Sequence, residues 1–179
     1  NPHKPTSSGN LGNLVSITHH PAPIFVHGGI EDAALVQSLF RTQKPDALVN
    51  FAAESHVDRS IASPEEFIST NVVGTFRLLH ESLAYYRALP PEAQSRFRFL
   101  HVSPDEVYGS LSKTDTEFTE SNAYEPTSQY SASNARCAHY VRASPHAYAC
   151  PTVPTHSTTH LGDWPIPRNT LTPILVKTT

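Results

Sequence analysis

Phe97-Arg-Phe-Leu-His-Val-Ser-Pro-Asp-Glu-Val-Tyr-Gly109 is the stretch that decides the fold. Phe97, Phe99 and Val102 are aromatic or β-branched and Leu100 lies between them, a run that predicts a strand buried on both faces of a sheet. Pro104 has no N–H to give to a ladder, so the strand should close there. Asp105 and Glu106 follow at once. They stand just beyond the C-terminal end of a buried strand, where open α/β sheets bind their ligands.

Working outward, Ala47–Phe51 predicts a second strand. Ahead of it, Glu31–Thr42 predicts a helix whose Leu35, Val36, Leu39 and Phe40 share one face. Ile24–His27, stopped by Gly28 and Gly29, reads as a short strand, and Asn1–Pro23 as a Pro- and Gly-punctuated loop. Between the strands, Ser63 as N-cap, Pro64 at the first helical position and Glu66 three residues after the cap form a capping-box signature. That helix should run to about Tyr86 with Phe67, Ile68, Val72, Phe76, Leu79 and Leu83 along its buried side. Leu89–Ser95 reads as a loop. Beyond Gly109 the chain is polar to Ser128. A helix is then expected over Tyr130–Tyr148, which Pro145 should end or kink, and after it a strand near Thr152–Thr155. Strands alternating with helices give right-handed βαβ units and a parallel sheet, an α/β protein.

The chain has 179 residues, enough for one domain with a sizeable core. A net charge of −3 gives no reason to expect nucleic acid or an anionic membrane as partner. Apolar runs fall short of the roughly 18 residues of a membrane span, and no signal peptide is expected at the start. Cys137 and Cys150 belong to no CxxC and read as reduced thiols of a cytoplasmic protein. The sequence contains no Met, so a fragment is expected. His156 and His160 stand four apart, but a third ligand at suitable spacing is lacking and no metal site is expected.

Tyr130 and Asn134 are neighbours on one helix face. A Tyr followed four residues later by Lys is a device for making a phenolate base, because the ammonium favours the deprotonated phenol. Working near neutral pH needs a shift of roughly 3 units from the ordinary value of about 10, or about 4 kcal/mol. Asn134 carries no charge with which to supply it. Singly, a Tyr–Asn pair, an Asp-Glu turn or a polar loop says little. Their order and spacing say much more.

Phe51–Ser60 (Phe-Ala-Ala-Glu-Ser-His-Val-Asp-Arg-Ser), Thr70–Thr75 (Thr-Asn-Val-Val-Gly-Thr), Ser103–Gly109 and Tyr130–Asn134 together resemble the dTDP-glucose 4,6-dehydratases, NAD-dependent extended short-chain dehydrogenases/reductases. The resemblance is close from Thr6 to Arg142. It implies a Rossmann-like, doubly wound parallel sheet, with residues 1–149 as a partial NAD-binding domain and residues 150–179 as the Pro-rich start of a substrate-binding region. The Gly-rich phosphate loop is expected upstream of Asn1 and the remainder of the substrate domain beyond Thr179.

The activity so implied is conversion of dTDP-glucose to its 4-keto-6-deoxy product, with Tyr130 as base at the 4-OH, Asp105 as acid toward the 6-OH and Glu106 as base at C5. By the same resemblance, Thr6, Ile30, Ala52, Ala53, Ser55, Thr70, Tyr130 and Asn134 would contact NAD. Ser55, Pro104, Asp105, Glu106 and Thr159 would contact the sugar nucleotide. A homodimer through the two long helices is implied as well. The chain departs from the family pattern at telling places. Pro104 stands where the family has Thr, Asn134 where it has Lys, and Thr159 and His160 where it has paired Asn. His3 and Gly29 replace acidic residues on the adenosine side. These departures predict a chain with little or no turnover, and the alternative is a non-catalytic Rossmann fragment that binds a nucleotide or a partner.

Overall fold

Three parallel strands in the order β1-β2-β3 carry the fold: β1 (Ala47–Asn50), β2 (Arg98–Pro104) and β3 (Thr152–Ser157). The register sets Asn50 beside His101 and Ser103 beside His156. The structure is a computed structural model and describes residues 24–54, 61 and 64–157. The compact unit that holds the sheet runs over Gly28–Thr158. Parallel neighbours require crossovers, and helices supply them.

Helix α1 (Ala33–Gln43) starts at Asp32, whose side chain caps the Leu35 N–H at 3.0 Å. It buries Val36 and Phe40. A long helical rod then forms in three contiguous pieces: α2 (Pro64–Phe67), a π-helical stretch Ile68–Gly74, and α3 (Thr75–Ala88). The expected cap Ser63 lies outside the described residues. The expected buried side is corrected. Phe67, Leu79 and Leu83 are buried as anticipated, but Ile68 and Phe76 are 53% and 50% exposed, while Asn71, Gly74, Thr75, Leu78 and Ser82 turn inward. The inward line Phe67, Asn71, Gly74, Leu78, Ser82 recurs every three or four residues, and Phe76, nine residues after Phe67, falls half a turn away from it.

Two further expectations are corrected. Pro91–Arg96 forms a short helix, α4, in place of a loop, with Pro91 at the helix start, where its missing N–H costs nothing. Ile24–His27 is not in a strand; among the described residues no ladder pairs it, and apolar composition alone cannot hold an extended segment.

Helix α5 (Gln129–Tyr148) opens with a reciprocal capping box: the Ser131 N–H donates to Ser128 Oγ at 3.0 Å and the Ser128 N–H to Ser131 Oγ at 2.9 Å. It runs through Pro145 and ends with Ala149 in the left-handed region. The expected break is averted because Pro145 falls in the last turn, and the acceptor it leaves open, the Val141 carbonyl, takes a hydrogen bond from Thr152 Oγ1 at 2.7 Å. β3, expected over Thr152–Thr155, extends to Ser157.

The helices pack on one face of the sheet. Val36 and Phe40 of α1, Leu78 and Leu79 of α3, and Val141 of α5 meet Phe97 and Phe99. Phe97 and Phe99 are fully buried, each contributing on the order of 2–3 kcal/mol of transfer free energy. β2 alternates strictly, with Phe99, His101 and Ser103 buried and Leu100, Val102 and Pro104 half-buried. Val49 and Val153 on that second face are each 45% exposed. The strand is thus buried on one face among the described residues, not on both.

Candidate active site

The site forms at the C-terminal ends of β1 and β2. Pro104 closes β2 in extended geometry, and the chain then coils into a 3-10 turn, Asp105–Tyr108. Val107 and Tyr108 bury themselves and so hold the turn down, leaving Asp105 half-buried and Glu106 exposed. Gly109 follows at φ 106°, a conformation that disfavours side chains, and a Cβ there would meet the Glu125 carbonyl at 2.9 Å. The Glu125 N–H donates to the Val107 carbonyl at 3.0 Å, which ties the incoming loop to the acid turn.

Tyr130 stands in the first turn of α5, 8% exposed, with its ring edge-on to Phe67 at 6.4 Å between centroids. Burial pushes its phenol up to about 12, with Glu106 and then Asp105 adding to the rise. Val107 and Tyr108 of the turn pack on Ala135 of α5, so the acid turn and the helix that bears Tyr130 are neighbours, and both carboxylates bear electrostatically on the phenol. The same environment keeps the phenol protonated. Asn134, fully inside, donates through Nδ2 to the Tyr130 carbonyl at 3.0 Å, an i→i−4 bond that turns it to the backbone. It thus contributes no charge toward the phenol.

Ala52 and Ala53 lie at the tip of β1, and two asparagines shape that tip. Asn50 Oδ1 accepts the Ala52 N–H at 3.1 Å. Asn71 grips Glu54 from both sides: its Oδ1 accepts the Glu54 N–H at 2.8 Å and its Nδ2 donates to the Glu54 carbonyl at 3.2 Å. Asn71 Nδ2 also reaches Ser133 Oγ at 2.9 Å, and its carbonyl accepts from Cys137 Sγ at 2.8 Å. Asn71 therefore joins the β1 tip to the helix that bears Tyr130. Sequence reasoning gives neither asparagine a role; the signal is a polar residue at a strand tip and another amid the Thr70–Thr75 motif, both buried.

Thr70 is half-buried in the π stretch, and Ile30 packs on Gly74, where a Cβ would come within 2.7 Å of Ile30 Cγ1. Of the other expected contacts, Thr6, Ser55 and Thr159 lie outside the described residues, as do His3, His56, Arg59 and His160. His156 is bonded through Nε2 to the Tyr124 hydroxyl at 2.8 Å. No group of three or more metal-ligating side chains occurs among the described residues.

Known proteins resemble this chain in sequence and fold. The chain is 48% identical over 172 residues to a dTDP-glucose 4,6-dehydratase of Xanthomonas campestris, covering 96% of this chain and 49% of that protein. It superposes with a TM-score of 0.73 and 41% identity on the crystal structure of DesIV, a dTDP-glucose 4,6-dehydratase from Streptomyces venezuelae solved with NAD bound, over 83% of this chain and 42% of that one. A dTDP-glucose 4,6-dehydratase of Bacillus anthracis, also in complex with NAD, matches with a TM-score of 0.69 and 37% identity, over 84% and 43% of the two chains. The chain spans about half the length of the curated relatives it matches. The resemblance read from the four motifs thus extends over most of the sequence, past Arg142. A family model described as GDP-mannose 4,6 dehydratase matches residues 3–171, and the chain belongs to that family.

Proposed function

We propose that this chain carries the cofactor-binding and acid–base half of an NAD-dependent dehydratase acting on dTDP-glucose, a cytoplasmic enzyme of nucleotide-sugar metabolism. The observation that carries the reading is that the turn bearing Asp105 and Glu106 packs, through Val107 and Tyr108 on Ala135, against the helix that bears Tyr130. The β1 tip suits a cofactor: Ala52 and Ala53 are small, Ala52 is exposed, and Asn71 fixes the turn without filling it. Ligands of open α/β sheets bind at such strand ends. NAD, when bound, supplies the acceptor and later the donor of one hydride.

The chain's own residues then have distinct tasks. Tyr130 receives the proton of the 4-OH. Once C4 is a ketone the C5 hydrogen is acidic, and Glu106 removes it. Asp105, in its protonated form, gives a proton to the 6-OH so that water leaves and not hydroxide. Pro104, where the family has Thr, offers the sugar neither a hydroxyl nor an N–H. Bringing Tyr130 from about 12 to neutral pH requires roughly 7 kcal/mol of stabilisation of the phenolate. Asn134 does not supply it, so turnover should be very low.

A homodimer through α3 and α5 fits the same reading. Phe76 and Tyr140, from the two helices, sit 6.1 Å apart between centroids and are 50% and 41% exposed, with Val73 one turn before Phe76. Titration with NAD and with dTDP-glucose, followed by assay of the 4-keto product, tests the proposal. Binding of both with little turnover is the expected result. Failure of NAD to bind would leave the non-catalytic reading in its place.

A further inference from the structure

Beneath the acid turn lies a polar seam that the proposed chemistry does not use. His101 and Ser103 are two apart on the helix-covered face of β2, 3% and 1% exposed, and His156 is the ladder partner of Ser103 on β3. His101 Nε2, Ser103 Oγ and His156 Nδ1 are all buried, and none has a partner in good hydrogen-bond geometry among the described residues; the Pro104 carbonyl approaches His156 without meeting that geometry. His156 lies close enough for its charge to bear on His101. We propose that these three atoms hold one internal water molecule.

The tautomer of His101 decides what can sit there. Asn50 Oδ1 accepts the Ala52 N–H, so its amide nitrogen faces His101 and meets Nδ1 at 3.1 Å. An NH2 group donates, hence His101 Nδ1 accepts and its single ring proton resides on Nε2. The seam therefore presents an N–H donor from His101, a hydroxyl from Ser103 and a ring nitrogen from His156. A metal cation would face that N–H and find no lone pair on it. A water can accept from His101 Nε2, bond to Ser103 Oγ and pair with His156 Nδ1 in either tautomer, three partners being the usual complement of a buried water. Immobilising one water costs less than leaving three interior polar atoms bare.

With the water in place, hydrogen bonds run unbroken from Asn50 through His101, the water and His156 to the Tyr124 hydroxyl. The sheet is thereby tied to the loop that feeds α5, at the strand end that leads into Asp105 and Glu106. A crystal structure of the full chain that resolves ordered solvent should show one peak within hydrogen-bond distance of all three atoms, without anomalous signal. An anomalous peak, or the three groups in direct contact with no peak, would overturn the proposal. Long-range nitrogen–proton NMR supplies an independent reading: His101 should carry its proton on Nε2, with a cross-relaxation signal from that proton to water. A proton on Nδ1, or no transfer to water, would count against it.

Discussion

Thr152 Oγ1 donates to the Val141 carbonyl at 2.7 Å, the acceptor that Pro145 leaves without an intrahelical partner. A residue of β3 thus completes the last turn of α5. Thr152→Val should cost about 1–2 kcal/mol, since it strands a buried carbonyl. Pro145→Ala restores the N–H, and in that background the same substitution should cost clearly less. Urea unfolding of the four chains of this double-mutant cycle measures the coupling; additive effects would contradict the account.

Asn71 makes two bonds to Glu54 and one to Ser133. Asn71→Ala should lower stability by about 2–4 kcal/mol, because it leaves buried backbone and hydroxyl groups unpaired. If NAD binds at the β1 tip, its affinity should fall too, and calorimetric titration of a still-folded variant reads this directly.

Asn134→Lys places an ammonium one helical turn from Tyr130. An opposite charge at that range should lower the phenol by about 1–3 units from its value of about 12. Tyrosinate absorbance against pH, compared with Tyr130→Phe to isolate one phenol among the 7 tyrosines, checks the shift. Product formation should rise in the same variant if Tyr130 is the base.

Burial lowers His101 from 6.5 to about 4, with His156 adding to the effect. The unfolded chain therefore binds the proton more readily than the folded one. Stability from this group is complete above pH 6.5 and is lost as pH falls from 6.5 to 4, by roughly 3 kcal/mol in all. Burial lowers His156 as well, which works in the same direction. Unfolding free energies at pH 7.5 and 4.5 should show the loss. A His101→Gln chain should show a shallower one.

Much of this was legible from the residues. The run Phe97–Pro104 announced the central strand, and alternating helices and strands announced the parallel sheet, because each rests on local periodicity and local steric rules. Pro145 misled, since whether a proline breaks a helix depends on who serves the orphaned carbonyl, and helical periodicity does not show that Thr152, seven residues on and in a strand, folds back to do so. Ile68 and Phe76 misled by residue type: both are large and apolar, yet Phe76 stands half a turn from Phe67 on a 3.6-residue period, and the inward line is drawn partly by Asn71, Gly74 and Ser82, which are polar or small. At the site, Asp105, Glu106 and Tyr130 could be picked out by type and order. Asn50 and Asn71 could not, because apart from the Asn50–Ala52 bond their side chains work through partners 17 to 62 residues away in sequence.

The stretch Ile68–Gly74 is also a measure of length. Adding one residue there would swing everything ahead of it by roughly 100° relative to α3, because the stretch is already wound wider than an α-helix and has no slack to absorb another. Phe67 would leave the edge of the Tyr130 ring while Leu78 and Leu79 stayed where they are. That segment can exchange its outward side chains freely, yet it cannot be lengthened without turning the front of the rod away from the phenol.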